Sequence, residues 1–313
     1  MSLLNLFSRL PAAVAQGLIW GIMALGVYIT FRVLNLADLT VDGTFALGGA
    51  VSVMLIIAGW PAWLSVIIAI AAGLAAGLVT GLLHTKLGIP AILSGILTQF
   101  SLYSINLRIM GMKANQTANL KNFGMFFENG KGFLVSSRYI PLAIAAGGIL
   151  AVLVVFALYW YFGTEQGSAL RATGCNPNMS RAQGINIANM KVLGLALSNG
   201  LVALSGALMT QFQGTADVNM GRGAIVIGLA AIVIGEVLCS SLFRKGSNFA
   251  VRLAFIVVGG ILYYFVMTVI LWLKLDANDL KLFTAIIVAL FLAVPYLQEK
   301  SRSSFAHRGG KER

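Results

Sequence analysis

The chain has 313 residues, 58% of them hydrophobic and only 10% charged, with a mean hydropathy of +0.88. Soluble domains carry about 25% charged residues, so this composition excludes a water-soluble globule, whose surface would be left largely apolar. A net charge of +12 does not indicate nucleic acid, because the cations fall in short segments between apolar runs and at the C-terminus, where lipid headgroups and membrane orientation account for them.

An all-α, polytopic integral membrane protein follows, with nine or ten transmembrane helices of about 20 residues each, some broken or short, in one transmembrane domain over 1–313. Before the first apolar run the one cation is Arg9, and no cleavage site follows that run. A first span or surface helix is therefore expected rather than a cleaved signal peptide. Leu3 to Leu10 read as a short interfacial helix and Pro11 to Phe31 as the first span. In the sequence Asn35 to Ala50, Asp38 and Asp42 stand one turn apart and would face the same way on a helix. With Thr40 they are candidates for a translocation path, since carboxylates beside apolar sequence are costly in lipid. The alternative is an ordinary turn between spans, with Asp38 capping the next helix. Gly43, Gly48 and Gly49 are expected to interrupt a short second segment that ends near Gly59.

Ala62 to His84 form a third span, with Gly73, Gly77 and Gly81 on one face as a helix-packing stripe. His84 and Lys86 mark an aqueous boundary. From Ile89 to Leu107 the hydropathy is weak, and Gln99, Tyr103 and Asn106 recur at helical spacing. That stripe must face protein or water, either lining the path or bonding between helices. The polar loop 109–139 is the longest, contains Phe123, Phe126 and Phe127, and is placed outside the cell. Ile140 to Phe162 form the fifth span and close on the aromatic belt Tyr159 to Phe162.

A polar, glycine-punctuated segment follows, Glu165 to Asn189, within 163–190. Gly167 to Ala172 suit a short helix, Gly174, Asn176 and Pro177 a turn, and Met179 a second helical start. The segment reads either as a helix-turn-helix elbow that docks into a groove on a soluble partner or as a connecting loop. Four apolar runs come next: Met190 to Phe212, Ala224 to Leu242, Leu253 to Leu273 and Leu282 to Tyr296. Gln211, Gln213, Asp217, Asn219 and Arg222 cluster between the first two of these, as a gate, a binding-protein contact or a plain polar loop. Glu236 follows the small-residue stripe that includes Gly228 and Gly235. A buried carboxylate needs a cation, and Arg244 or another near that end would make a structural or gating ion pair. Arg244, Lys245, Arg252 and the basic tail 297–313 fall on the side of the elbow, and Asp276 and Asp279 fall opposite. The elbow side and the C-terminus are therefore expected to be cytoplasmic.

The run Arg171-Ala172-Thr173-Gly174-Cys175-Asn176 with Arg181-Ala182-Gln183-Gly184-Ile185-Asn186 resembles the coupling segment of permeases from the ribose and branched-chain amino-acid branch of bacterial ABC importers. Met179-Ser180 stands where those permeases have two alanines. Together with Asn35 to Gly43, the segment is similar to a group assigned to tryptophan or tyrosine uptake beside a lipoprotein binding partner. The resemblance implies a permease subunit in the bacterial cytoplasmic membrane. Its elbow, through Glu165, Gly167, Arg171, Ala172, Gly174, Asn176, Arg181 and Gly184, would meet a cytoplasmic ABC ATPase dimer. Arg171 and Arg181 would pair with acidic groups there. It further implies an extracytoplasmic or lipoprotein substrate-binding protein, a second permease copy as a homodimer, and an amino acid or similar small polar solute. ATP and Mg would be held by the ATPase, with no cofactor, metal or catalytic residue in this chain. That agrees with the absence of G-x-x-x-x-G-K-[ST] and H-E-x-x-H motifs. Two other readings use the same residues: an ion-coupled secondary transporter with Asp38, Asp42 or Glu236 as the ion site, and a membrane scaffold that moves no solute.

Overall fold

The computed structural model describes residues 3–118, 133–243 and 248–272, together with 282, 285, 286, 289 and 293. Residues 119–132 of the 109–139 loop, with Phe123, Phe126 and Phe127, lie outside the described residues, as do Arg244 and Lys245, most of the run 282–296, the tail 297–313, Asp276 and Asp279. Helix α1, Leu3–Tyr28, passes without a break through Pro11 and ends in a π-helical turn, Ile29–Val33. The separate interfacial helix expected for Leu3 to Leu10 is thus the start of α1. A proline is tolerated in a spanning helix where neighbouring groups re-satisfy the backbone it frees.

The other long helices are α2 (Thr40–Ile57), α3 (Ala62–Thr85), α4 (Ala91–Ile109), α5 (Ile140–Gly163), α8 (Ile187–Gln213), α9 (Ala224–Leu242) and α10 (Phe249–Trp272), with the short α6 (Glu165–Cys175) and α7 (Pro177–Ala182) between α5 and α8. Seven of these stretches among the described residues are long and apolar enough to cross a membrane; α4, which carries Gln99, Asn106 and Arg108, is not one of them. The long helices run alternately towards and away from the α6–α7 elbow. Strand β1, Asn115–Thr117, pairs antiparallel with β2, Thr215–Asp217, with Asn115 opposite Asp217. This ladder ties the chain after α4 to the chain after α8 at the far end of the bundle.

The inner helices are α1 and α8, 83% and 78% buried over their apolar stretches, whereas α5 lies at the rim with 22%. Small residues explain how tightly the inner helices approach. A side chain at Gly73, Gly77 or Gly81 would run into α8 at Asn199, Leu195 or Val192, and α3 lies flat along α8 for that reason. Gly228 and Gly235 of α9 sit against Val27 of α1 and Phe255 of α10 in the same manner. The second segment is short, as expected, but its glycines do not interrupt it. A Cβ at Gly48 would overlap the Ala203 carbonyl and one at Gly49 the Thr210 hydroxyl, so here glycine serves close packing inside one unbroken helix.

Candidate functional site

After the π-helical turn the chain does not continue as a helix. Residues 34–39 rise beside α4 and α8, and α2 begins at Thr40, level with the middle of α8. Asp38 is 3% exposed. Its Oδ1 accepts the Thr40 N–H at 2.9 Å and its Oδ2 accepts Asn199 Nδ2 at 2.8 Å. The amide of Asn199 is then fully used: Nδ2 also donates to the Leu195 carbonyl at 3.0 Å, and Oδ1 accepts the Thr44 hydroxyl at 2.7 Å. Beside this group the hydroxyls of Thr40, Thr80 and Thr98 stand in a row, 2.9 and 3.0 Å apart, joining α2, α3 and α4. Asp38 and Thr40 therefore belong to a dry polar brace between helices. Asn199 was legible as a lone amide within an apolar span, but it was not singled out; nor were Thr44, Thr80 and Thr98.

Asp38 and Asp42 do not face the same way, because Asp38 lies before the helix starts. Asp42, in the first turn of α2, points to the start of α9, where its two carboxylate oxygens accept the N–H groups of Gly223 at 3.0 Å and Ile225 at 3.1 Å. A carboxylate at a helix N-terminus satisfies donors that have no partner within the helix and complements the helix dipole.

Asp42 also lines a cavity of about 310 Å³ together with Gly43, Gln99, Phe100, Tyr103, Asn106, Val218, Asn219 and Arg222. The α4 stripe thus meets Asn219 and Arg222 from the β2–α9 segment, residues more than a hundred positions apart in sequence. Asn106 is 1% exposed; its Nδ2 donates to the Gly43 carbonyl at 3.3 Å, and its Oδ1 has no partner among the described residues. A buried amide oxygen left open at a cavity wall is an acceptor for whatever enters. Phe100 and Tyr103, 72% and 43% exposed, add aromatic surface. The cavity combines a guanidinium, amides, a carboxylate and rings, the mixed lining typical of small polar ligands.

Gln211, Asp217 and Glu236 lie elsewhere. Gln211 is fully buried; its Oε1 accepts the Leu134 N–H at 3.0 Å, and its Nε2 lies 3.3 Å from the Ser52 and Ser65 hydroxyls and the Ala62 carbonyl. It locks four segments at the end of the bundle opposite the elbow. Asp217, in β2, accepts the Asn219 N–H at 2.6 Å and so shapes the turn that presents Asn219. Glu236 forms a two-pronged ion pair with Arg32 of the π-helical turn, Oε1 accepting Nε–H at 2.9 Å and Oε2 accepting Nη2–H. Arg32 is half exposed, so the pair is of the surface kind, worth about 1 kcal/mol or less.

The elbow owes its form to three caps. Thr164 accepts the Gly167 N–H, Asn176 the Met179 N–H and Asn186 the Asn189 N–H, each opening a helix, while Gly184 takes φ +83° between α7 and α8. The first helix runs on through Gly174, and Pro177, not Met179, starts the second. Gly174 lies on the Val33 carbonyl, Gly167 on Tyr161 and Phe162, and the buried Leu170 reaches Gly194 of α8. Arg171 is exposed, and its Nη2 also donates to the Phe162 carbonyl at 2.8 Å, with its guanidinium 5.5 Å from the Phe249 ring. Glu165, Asn176, Met179 and Arg181 are exposed, and Ala172 is half-buried. Met179, 58% exposed, is an apolar knob on this outer face.

Residues 10–295 match the family described as the permease component of the branched-chain amino acid transport system. The chain is 39% identical over 286 residues to the tyrosine transport system permease protein of Clostridioides difficile, covering 91% of each. It is 29% identical over 255 residues to the fructose import permease protein FruF of Bifidobacterium longum, covering 80% of this chain and 67% of the relative. Against the ribose import permease protein RbsC of Haemophilus influenzae the identity is 24% over 216 residues, covering 68% and 64%.

Proposed function

The chain belongs to the family of branched-chain amino acid transport system permease components, and on that basis we propose that it is the membrane subunit of an ATP-driven importer for an aromatic amino acid. The observation that carries the reading is the elbow seated on the last turn of α1. A displacement of α6 meets the Val33 carbonyl through Gly174, and from there residues 34–39 lead directly to Asp38, to α2 and to Asp42 at the cavity. A cytoplasmic ATPase dimer closing on ATP would press the elbows of two permease copies and, through this route, reshape the cavity in each. A binding protein on the β1–β2 side would deliver the solute. ATP and Mg belong to the partner, and this chain contributes stiffness and a path.

Docking on the ATPase falls to the exposed residues of the elbow, Glu165, Arg171, Met179 and Arg181. Replacement Arg181→Glu is expected to release the ATPase from the purified complex and to remove solute-stimulated ATP hydrolysis, with membrane abundance unchanged. Retention of the ATPase by this variant would dismiss the elbow as the docking site.

The cavity suits a zwitterion with a ring: Arg222 for the carboxylate, the open Asn106 Oδ1 for the ammonium, and Tyr103 and Phe100 for the ring. A hydrogen bond to a charged group contributes roughly 1.5–3 kcal/mol. Arg222→Gln should therefore raise the KM for radiolabelled tyrosine by about tenfold or more in vesicles loaded with ATP and the partners. An unchanged KM would remove Arg222 from the site, and no tyrosine uptake by the unaltered chain would remove the aromatic solute. The three carboxylates of an ion-coupled mechanism are engaged otherwise: Asp38 by Asn199, Asp42 by the α9 backbone and Glu236 by Arg32. Uptake that follows the membrane potential in the absence of the ATPase would favour that mechanism instead.

A further inference from the structure

A second cavity opens on the outer surface of the bundle, between α3 and α8. It measures about 510 Å³ and its walls are graded. At the deep end lie Leu74, Leu78, Ala196 and Leu197; at the elbow end lie Lys86 and Asn189. Leu78 and Leu82 are 43% and 42% exposed, so the floor is open along its length. From Leu74 to Lys86 the helix rises 12 residues at about 1.5 Å each, or about 18 Å. The hydrocarbon core is about 30 Å thick, and one leaflet about half of that. A helix of another membrane chain would need a groove along the whole core. This one stops after a single leaflet, and only its end at the membrane surface is polar.

That end carries a cation and faces the N-terminus of α8. Lys86 follows the last turn of α3 and is exposed. The first turn of α8, from Ile187, brings its N–H groups and the positive end of the helix dipole beside it. A neighbouring cation is held apart from this pair: Lys191 donates to His84 Nε2 at 3.3 Å, while His84 Nδ1–H donates to the Ile89 carbonyl at 2.8 Å. Basic pockets between spanning helices at the membrane surface are where anionic lipid headgroups bind.

We propose that the α3–α8 groove holds one anionic phospholipid, its phosphate between Lys86 and the first turn of α8 and an acyl chain along Leu74, Leu78 and Leu82. The test is native mass spectrometry and thermal melting of the full-length protein in detergent, titrated with phosphatidylglycerol or with phosphatidylcholine of the same acyl chains. The unaltered protein should prefer phosphatidylglycerol. Lys86→Gln should weaken that lipid by about fivefold, the value of one juxtamembrane cation, and leave phosphatidylcholine unchanged. Leu78→Trp, on the exposed side and away from the glycine seam, should weaken both. An undiminished preference in Lys86→Gln would overturn the headgroup site. Disulfide-linked pairs of chains formed by Leu78→Cys in native membranes would give the groove to a second copy instead.

Discussion

Replacing Gly174 by leucine is expected to bring transport to background while the helical bundle still assembles. A Cβ at this position would overlap the Val33 carbonyl oxygen and stand 3.0 Å from the Leu34 Cα. Both obstacles are backbone, which cannot change rotamer to make room. Either α6 lifts from α1 or the π-helical turn rearranges, and in both cases a push on the elbow no longer arrives at residues 34–39. The seams that hold the spans together, α3 on α8 and α9 on α10, are made by other residues. Uptake in proteoliposomes with the ATPase and binding protein should vanish, with basal ATP hydrolysis retained. Circular dichroism and the melting temperature should stay close to those of the unaltered chain. Uptake by Gly174→Leu at half the original rate or more would mean that the elbow transmits its motion elsewhere.

Loss of the Asp38 carboxylate is expected to act on stability. Asp38→Ala removes two hydrogen bonds made by a charged acceptor and leaves a donor of the buried Asn199 amide without its partner. Each such bond contributes about 1.5–3 kcal/mol, and the freed Asn199 donor is buried, so a loss of about 3 kcal/mol or more follows. That corresponds to a fall in melting temperature of about 5 °C or more for a chain of 313 residues. Asp38→Asn keeps an acceptor oxygen for one donor only and turns an NH2 towards the other, so it should restore at most one of the two bonds. The informative comparison is the cycle with Asn199→Ala. If Asp38 and Asn199 act as a unit, the double variant loses much less than the two single losses added together. Strict additivity would show that the brace does not hold them as a pair.

Much of the fold was legible in the chain, because an apolar run of spanning length needs no partner to be recognised and the elbow announces itself through Thr164, Asn176, Pro177 and Gly184. The errors share one cause: they concern contacts between distant residues. Gly48 and Gly49 look like helix breakers in isolation and become packing surfaces only when α8 is laid across them. Asp38 and Asp42 are one turn apart only if the helix begins before Asp38, and α2 begins after it. For Glu236 the expected cation near the elbow end is present, but it is Arg32, 204 residues away in sequence, which only the packing of α9 on α1 reveals. The β1–β2 ladder is three residues per strand, too short for any alternation to register. Of the cavity, the α4 stripe was visible from its helical spacing. That Arg222 and Asn219 would face it depends on how the segment after α8 folds back, which no local pattern encodes. Arg171, expected as a docking charge, is exposed and also reaches Phe249 of another span, a contact that no local pattern encodes.

The π-helical turn at Ile29–Val33 closes its backbone bond from Leu34 N–H to the Ile29 carbonyl, five residues back, at 3.0 Å. Such a turn is an α-helix with one residue too many. Deleting a single residue between Ile29 and Val33 would restore ordinary winding and turn everything after it by about 100°. Asp38 would leave Asn199, and Arg32 would leave Glu236. Length variation among natural relatives should therefore be absent from this turn, however freely the loops on either side of the membrane shrink and grow.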